Sequence, residues 1–324
     1  MSLAMHTSSP GNETIARAAL ARYALETAGL VALPGNSAVY RVDTAGGIPY
    51  RLKIHAAEPA ERIRARLLWL AALGEATGLA VQAPVPDRAG QIVTLVDGNA
   101  CSLQRWVDGE PPGRDFTAEE AYRLGGLIAR LHAHSATWAP PPEVFSALPL
   151  YTPADLEAHV AALRAGVEIG ALTADDFATV EAAGRFVRET LRAVPHDRDR
   201  WGPVHGDLHH DNILLHGDEM RPIDFDGLHI APYAYDLGTI LYHILHQQVA
   251  VRWALVEGYE AARVLGMPGE LWPEACVVWA AIDNLAFQVT LPSQLGTPLL
   301  ARNLRWLARE FCPRLLKAQA FVLV

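Results

Sequence analysis

The chain has 324 residues, 51% of them apolar and 19% charged, which excludes disorder as its main state and suits one globular enzyme of two lobes or two domains. Its net charge of −9 is unevenly placed: residues 1–110 hold 10 acids and 10 bases, and 111–324 hold 26 acids and 17 bases. An acidic half of this kind lacks the basic face of a nucleic-acid binder and favours a small cationic partner, although a solvated acidic surface gives the same arithmetic.

The first third reads as a small mixed lobe. Apolar spacing predicts a helix over 14–30, stopped at Gly29. Strand-like runs at 37–42 and 48–55 flank the turn signal Thr44-Ala45-Gly46-Gly47, so a hairpin is expected. Ile63, Leu67, Leu70 and Leu73 give helical periodicity to 58–73, and two short strands follow at 91–96 and 101–107. An antiparallel sheet with one helix packed on it is the expected result. The texture then turns helical. Thr117 with Glu120 three residues on makes a capping box for a helix over 117–132. A proline-rich loop or insert at 139–153 is followed by helices at 153–165 and 173–193, an apolar hairpin at 212–225, and a Trp-rich helical remainder from about 234. The fold class is thus α+β, with an N-terminal lobe at 1–104 and a C-terminal lobe at 105–324.

Targeting and redox signals are few. The N-terminus lacks a basic region followed by a long apolar one, and the most apolar stretch, 230–245, carries Asp236. No signal peptide and no membrane span are expected. Cys101, Cys276 and Cys312 are scattered and form neither a disulfide framework nor a CxxC pair. A cytoplasmic location is the default expectation, and the oligomeric state is left open.

The strongest chemical signal is the run His205-Gly206-Asp207-Leu208-His209-His210-Asp211-Asn212, followed by Ile223-Asp224-Phe225-Asp226. Asp207 and Asn212 have the HxDxxxxN spacing of a kinase catalytic loop, and Asp224 lies at the far end of a short hairpin. Phosphoryl transfer needs a carboxylate to orient and deprotonate the acceptor hydroxyl, a role for Asp207. It also needs hard oxygen ligands for Mg²⁺, here the Asn212 amide and the Asp224 carboxylate. The His/Asp cluster would otherwise suit a transition-metal hydrolase, but such a site does not require Asn212 or the Asp224 hairpin. Asp226 reads equally as a metal-site helper or a turn residue. His205 reads as a buried structural residue.

With these residues the sequence resembles the aminoglycoside phosphotransferase family, which includes choline and homoserine kinases and has a protein-kinase-like two-lobe fold. The resemblance implies ATP, held between the lobes, as donor and a small-molecule hydroxyl as acceptor, with GTP left open as an alternative donor. It also implies that Asn36 and Ser37 belong to the nucleotide-positioning loop, that Lys53 binds the α and β phosphates, and that Arg105 and Val107 lie in the hinge that meets adenine. Leu131-His132 matches a helix end of the family, and Asp236 an aspartate that supports the catalytic loop.

Two departures stand out. Pro34-Gly35-Asn36-Ser37 has one glycine, unlike the glycine-rich loop of protein kinases. Arg66 sits where many relatives carry the glutamate that pairs with the lysine, which leaves Glu58 and Glu61 as substitutes. The expected reaction is transfer of the γ-phosphoryl group to a cationic amino alcohol or amino sugar, with Asp283 as the acceptor contact. A protein Ser/Thr kinase of the same fold and a non-catalytic nucleotide-binding module are the alternatives. No Ala-Pro-Glu segment follows Asp224 to support the first.

Overall fold

The structure is a computed structural model that describes residues 10–34, 38–55 and 58–324. In chain order its elements are α1 (Pro10–Leu20), β1 (Thr27–Ala32), β2 (Ala38–Thr44), β3 (Tyr50–Ile54), α2 (Ala60–Thr77), β4 (Pro84–Val85), β5 (Thr94–Val96), β6 (Asn99–Arg105), α3 (Ala118–Thr137), α4 (Pro142–Ser146), α5 (Pro153–Ala162), α6 (Ala165–Glu168), α7 (Ala174–Arg192), β7 (Trp201–Val204), β8 (Ile213–His216), β9 (Glu219–Pro222), β10 (His229–Pro232), α8 (Ala234–His243), α9 (Val249–Glu260), α10 (Trp272–Thr290), α11 (Pro298–Trp306) and α12 (Cys312–Leu316). A π-turn, Leu307–Phe311, joins the last two helices. The class is α+β, and none of the described helices is long and apolar enough to cross a membrane.

The chain forms two compact units. The first comprises the chain up to Glu110 together with Trp138–Pro149 and Leu214–Asp224; the second comprises Pro111–Thr137, Leu150–Ile213 and Phe225–Val324. The first unit is therefore not the continuous segment 1–104 expected from composition. Residues 105–110 stay with the sheet, and hydrogen bonds draw the hairpin to them: Glu110 and Leu215 exchange backbone bonds of 2.9 and 2.7 Å. Gly109, at φ 147°, lies against Leu214 and Leu215, where a side chain would collide.

In the first unit the sheet runs β1-β2-β3-β6-β4, with β5 pairing β6. Alternation along the strands divides it into two faces. Leu52, Ile54 and Leu103 pack with Ala16, Ala19 and Tyr23 in one apolar core, each large aliphatic contributing about 1.5–3 kcal/mol by burial. The residues between them, Arg51, Lys53, Ser102 and Gln104, belong to the other face and are buried too. Helix α2 buries Ile63, Arg66, Leu67, Leu70 and Leu73 at helical spacing and ends at Gly78 in the left-handed conformation.

In the second unit α3 packs on α9 through Gly125 and Gly258, where a Cβ on either helix would strike the other's backbone. The predicted capping box opens α3: Thr117 N–H donates to Glu120 Oε2 (2.8 Å) and Glu120 N–H to Thr117 Oγ1 (3.2 Å). Helices α8 and α10 are buried along most of their length. Strands β7 and β10 pair antiparallel, Val204 opposite His229; neither strand was expected. Residues 27–30 are also strand rather than the end of the first helix. Pairing of β1 with β2 (Leu30 opposite Val42) overrides the local periodicity there. The insert at 139–153 holds the short helix α4.

Candidate active site

Strand β7 delivers the chain into the loop from His205 to Asn212, and a buried aspartate of α8 shapes it. Asp236 accepts the His205 N–H (2.9 Å), the Gly206 N–H (3.0 Å) and His132 Nε2–H (3.0 Å). His132 Nδ1 in turn meets the Tyr259 hydroxyl at 3.0 Å. Burial works to raise the Asp236 pKa, but the bond from His132 and the surrounding donors hold it below the ordinary carboxylate range. Gly206 has φ 83° and lies against Gly227, so no side chain fits there. His205 is buried, its ring lies tilted against Phe225 with centroids 4.3 Å apart, and it accepts the Asp207 N–H at Nδ1 (3.3 Å).

Asp207 and Asn212 are in contact. Asn212 Nδ2 donates to the Asp207 carbonyl (2.8 Å) and approaches its Oδ2 (3.3 Å), which leaves the Asn212 amide oxygen as the atom able to bind a cation. The Asp207 side chain is 56% exposed and its Oδ2 lies 3.6 Å from His209 Nε2. Partial desolvation opposes ionisation of Asp207, yet His209 foremost, with His205 and His243, keeps its pKa below the usual value. His209, His210 and Asp211 bring potential ligand atoms within 4.8 Å of one another, a grouping that includes neither Asp207 nor Asn212.

Lys53 and Asp224 both belong to the first unit, around the polar face of its sheet. Asp224 follows β9 at φ 60°; its N–H donates to Gln82 Oε1 (3.0 Å), and its Oδ1 accepts from Arg51 Nη2 (3.4 Å). Arg51 also bonds Gln104 Oε1. Two residues along β3, the Lys53 ammonium is pushed down to about 7, by burial first and then by the Arg51 charge, while Asp224 and Glu58 act in the opposite sense. Glu58, the nearer of the two substitutes proposed for the missing helix glutamate, is held by Arg66 (2.9 and 3.0 Å) and Arg62 (3.1 Å). Glu61 is exposed in the first turn of α2. His55, buried between Ser102 (2.9 Å) and Arg66 (3.4 Å), is pushed down to about 2, chiefly by burial and then by the surrounding cations, so it is neutral.

The remaining candidates fall in several places. Asn36 and Ser37 lie outside the described residues. Arg105 ends β6, with its N–H on the Ala83 carbonyl (2.8 Å), and Val107 is buried just beyond. Asp226 lies in a 3₁₀ turn, Phe225–Gly227. Asp283 sits on α10 with its side chain 8% exposed, accepting from Tyr151 (2.8 Å), His159 Nδ1 (2.7 Å) and Tyr235 (3.1 Å). Its hydrogen bond raises the His159 pKa. Arg51, Gln82 and Gln104 were not singled out in the sequence; charged and amide residues inside a strand pattern were the available signal.

The two-lobe kinase-like fold agrees with the comparisons. Residues 30–272 match the phosphotransferase enzyme family, APH; the chain belongs to this family. It is 30% identical over 201 residues to a homoserine kinase of Methylobacterium radiotolerans, covering 59% of this chain and 57% of that protein. It is 27% identical over 174 residues to amicoumacin kinase of Bacillus subtilis, covering 52% and 48%. The chain thus spans about half the length of these relatives. Among solved structures, a microcompartment-associated aminopropanol kinase superposes with TM-score 0.76 at 24% identity, covering 96% of this chain and all of that one. An amicoumacin kinase in complex with AMP-PNP and Ca²⁺ superposes with TM-score 0.73 at 18% identity, covering 91% and 92%.

Proposed function

We propose that the protein is an ATP-dependent phosphotransferase that moves the γ-phosphoryl group to a hydroxyl of a small molecule. The observation that carries this reading is the Asp207–Asn212 pair. One side chain presents an exposed carboxylate to an incoming hydroxyl, and the other turns its amide oxygen away from the bond that anchors it. Asp207 orients the acceptor hydroxyl and takes its proton. Asn212 and Asp224 offer oxygen donors of the kind hard divalent cations take, and 44% of the Asp224 side chain is exposed beside its Oδ1 contact with Arg51. These residues fit Mg²⁺, which would neutralise charge on the nucleotide phosphates. Lys53 steadies the α and β phosphates, and the segment through Arg105 and Val107 meets the base.

The relatives named as homoserine and amicoumacin kinases support a small-molecule acceptor. The 26 acids against 17 bases in 111–324 support a cationic one, an amino alcohol or amino sugar. A coupled ADP-release assay tests the reaction. Asp207→Asn is expected to lower turnover by about 10²–10⁴ while MgATP affinity stays within a few fold. Joint loss of nucleotide binding and turnover would contradict the role given to Asp207.

A further inference from the structure

The loop that carries Asp207 and Asn212 also holds two histidines and an aspartate to which phosphoryl transfer gives no role. His209, His210 and Asp211 each bring a ligand atom within 4.8 Å of the other two, and all three belong to the second unit. Asp211 stands between the rings. Its Oδ1 lies 3.3 Å from His210 Nε2, and its Oδ2 lies 3.8 Å from His209 Nδ1. Metal–ligand bonds of about 2.0–2.2 Å set tetrahedral donors about 3.3–3.6 Å apart. One edge already has that length and the other is slightly longer. The Asp211 side chain, 69% exposed, can turn one oxygen toward both rings.

The nitrogen needed is in the required state. The Asp211 N–H donates to His209 Nδ1 (3.3 Å), so Nδ1 carries the lone pair and the ring proton resides on Nε2. The ring of His243, on α8, lies 5.1 Å from that of half-buried His209 and restricts its turning. His210 and Asp211 are fixed in succession by a 3₁₀ turn, His210–Asn212. A metal on Nδ1 displaces one long backbone bond, whose N–H lies on an exposed residue within reach of water.

Two imidazoles and a carboxylate are donors for Zn²⁺ and its transition-metal neighbours, whereas Mg²⁺ takes oxygen and gives up its waters reluctantly. The cluster therefore selects a different ion from the one assigned to the Asn212 amide oxygen. Occupancy acts on the base, because His209 Nε2 lies 3.6 Å from Asp207 Oδ2. A dication on Nδ1 makes the Nε2–H a stronger donor and adds local positive charge. That donor then holds the carboxylate oxygen that an acceptor hydroxyl requires.

We propose that His209, His210 and Asp211 form a site for Zn²⁺ or a similar transition-metal ion, and that its occupancy brakes phosphoryl transfer by engaging Asp207. The brake rests on the phosphotransferase reading; the site does not. Zn²⁺ is titrated into the full chain against a chromophoric chelator, with Mg²⁺ in excess and no nucleotide. A micromolar site is expected, and His210→Ala and Asp211→Ala are each expected to weaken it at least tenfold. Equal thermal midpoints for variants and wild type confirm intact folding. Zn²⁺ bound equally by wild type and both variants, or not bound by wild type, overturns the site. The brake is read as Asp207-dependent ADP release at saturating Mg²⁺. Zn²⁺ near its Kd is expected to lower wild-type kcat severalfold, with KM for ATP within twofold, and the chelator to restore it. His210→Ala is expected to keep the wild-type kcat and to need at least ten times more Zn²⁺ for the same inhibition. Binding without inhibition, or equal inhibition of wild type and His210→Ala, overturns the brake. Absence of any Asp207-dependent turnover overturns the phosphotransferase reading and the brake with it, while the titration still decides the site.

Discussion

The guanidinium of Arg51 lies 3.4 Å from the carboxylate of Asp224, a residue 173 positions further along the chain. A cation of the protein itself thus touches the carboxylate assigned to the metal, and the Arg51 side chain is only 9% exposed. The pair has a competitive consequence: positive charge on Asp224 Oδ1 weakens its attraction for a divalent ion. Asp224→Ala is expected to abolish Mg²⁺-dependent nucleotide binding. Arg51→Met is expected to lower the Mg²⁺ concentration needed for half-maximal nucleotide binding, and to lower stability by about 1–3 kcal/mol, because Gln104 loses its buried donor. Nucleotide titrations with and without Mg²⁺, beside denaturant melts, check both. Retained metal dependence in Asp224→Ala would move the ligand role to Asp226 or another carboxylate.

The depressed Lys53 pKa predicts proton uptake on nucleotide binding. Before nucleotide binds, the Lys53 ammonium is pushed down to about 7 by burial and then by the Arg51 charge; phosphate brought against it favours the charged form and raises that pKa. Nucleotide affinity is therefore greatest below pH 7 and falls as pH rises toward the pKa of the complex. Calorimetry at pH 8 in buffers of different ionisation enthalpy is expected to show net uptake approaching one proton, lost in Lys53→Met. The sign also holds for stability: the folded pKa lies below the unfolded one, so unfolded chains bind more protons between about 7 and 10.5, and this group's contribution to stability rises with pH across that window.

Glu58 and Glu61 are expected to behave differently. Glu58 receives Arg66, a buried cation, through two bonds, so Glu58→Ala leaves a buried charge poorly compensated and is expected to cost about 1–3 kcal/mol of stability. Glu61→Ala is expected to change stability by no more than about 0.5 kcal/mol, as exposed substitutions do. If Glu58 acted mainly as the partner of Lys53, its loss would instead leave stability intact and raise KM for ATP as much as Lys53→Ala does. Thermal unfolding and nucleotide kinetics on the same variants separate these outcomes.

Some of this protein was determined by sequence alone. Asp207 and Asn212 are five positions apart in one loop, and a loop that short leaves them in contact. The capping box of α3 is likewise local, since both of its bonds close within three residues. The α+β class followed from a change of period partway along the chain. Other features were decided by tertiary structure, because they depend on which distant groups burial brings together. Local periodicity at 27–30 read as helix until β2 supplied a pairing edge. Strands β7 and β10 exist through each other, across an intervening hairpin. Nothing in the order of residues pairs Arg66 with Glu58 or aims Arg51 at Asp224; both follow from placing cations on the buried polar face of a sheet, where each must find an anion or an acceptor. Asp283 and Glu310 show the same division. As sequence, both are carboxylates in helical runs. Folding surrounds one with three donors, and it leaves the other lining a cavity with no hydrogen bond or ion pair among the described residues.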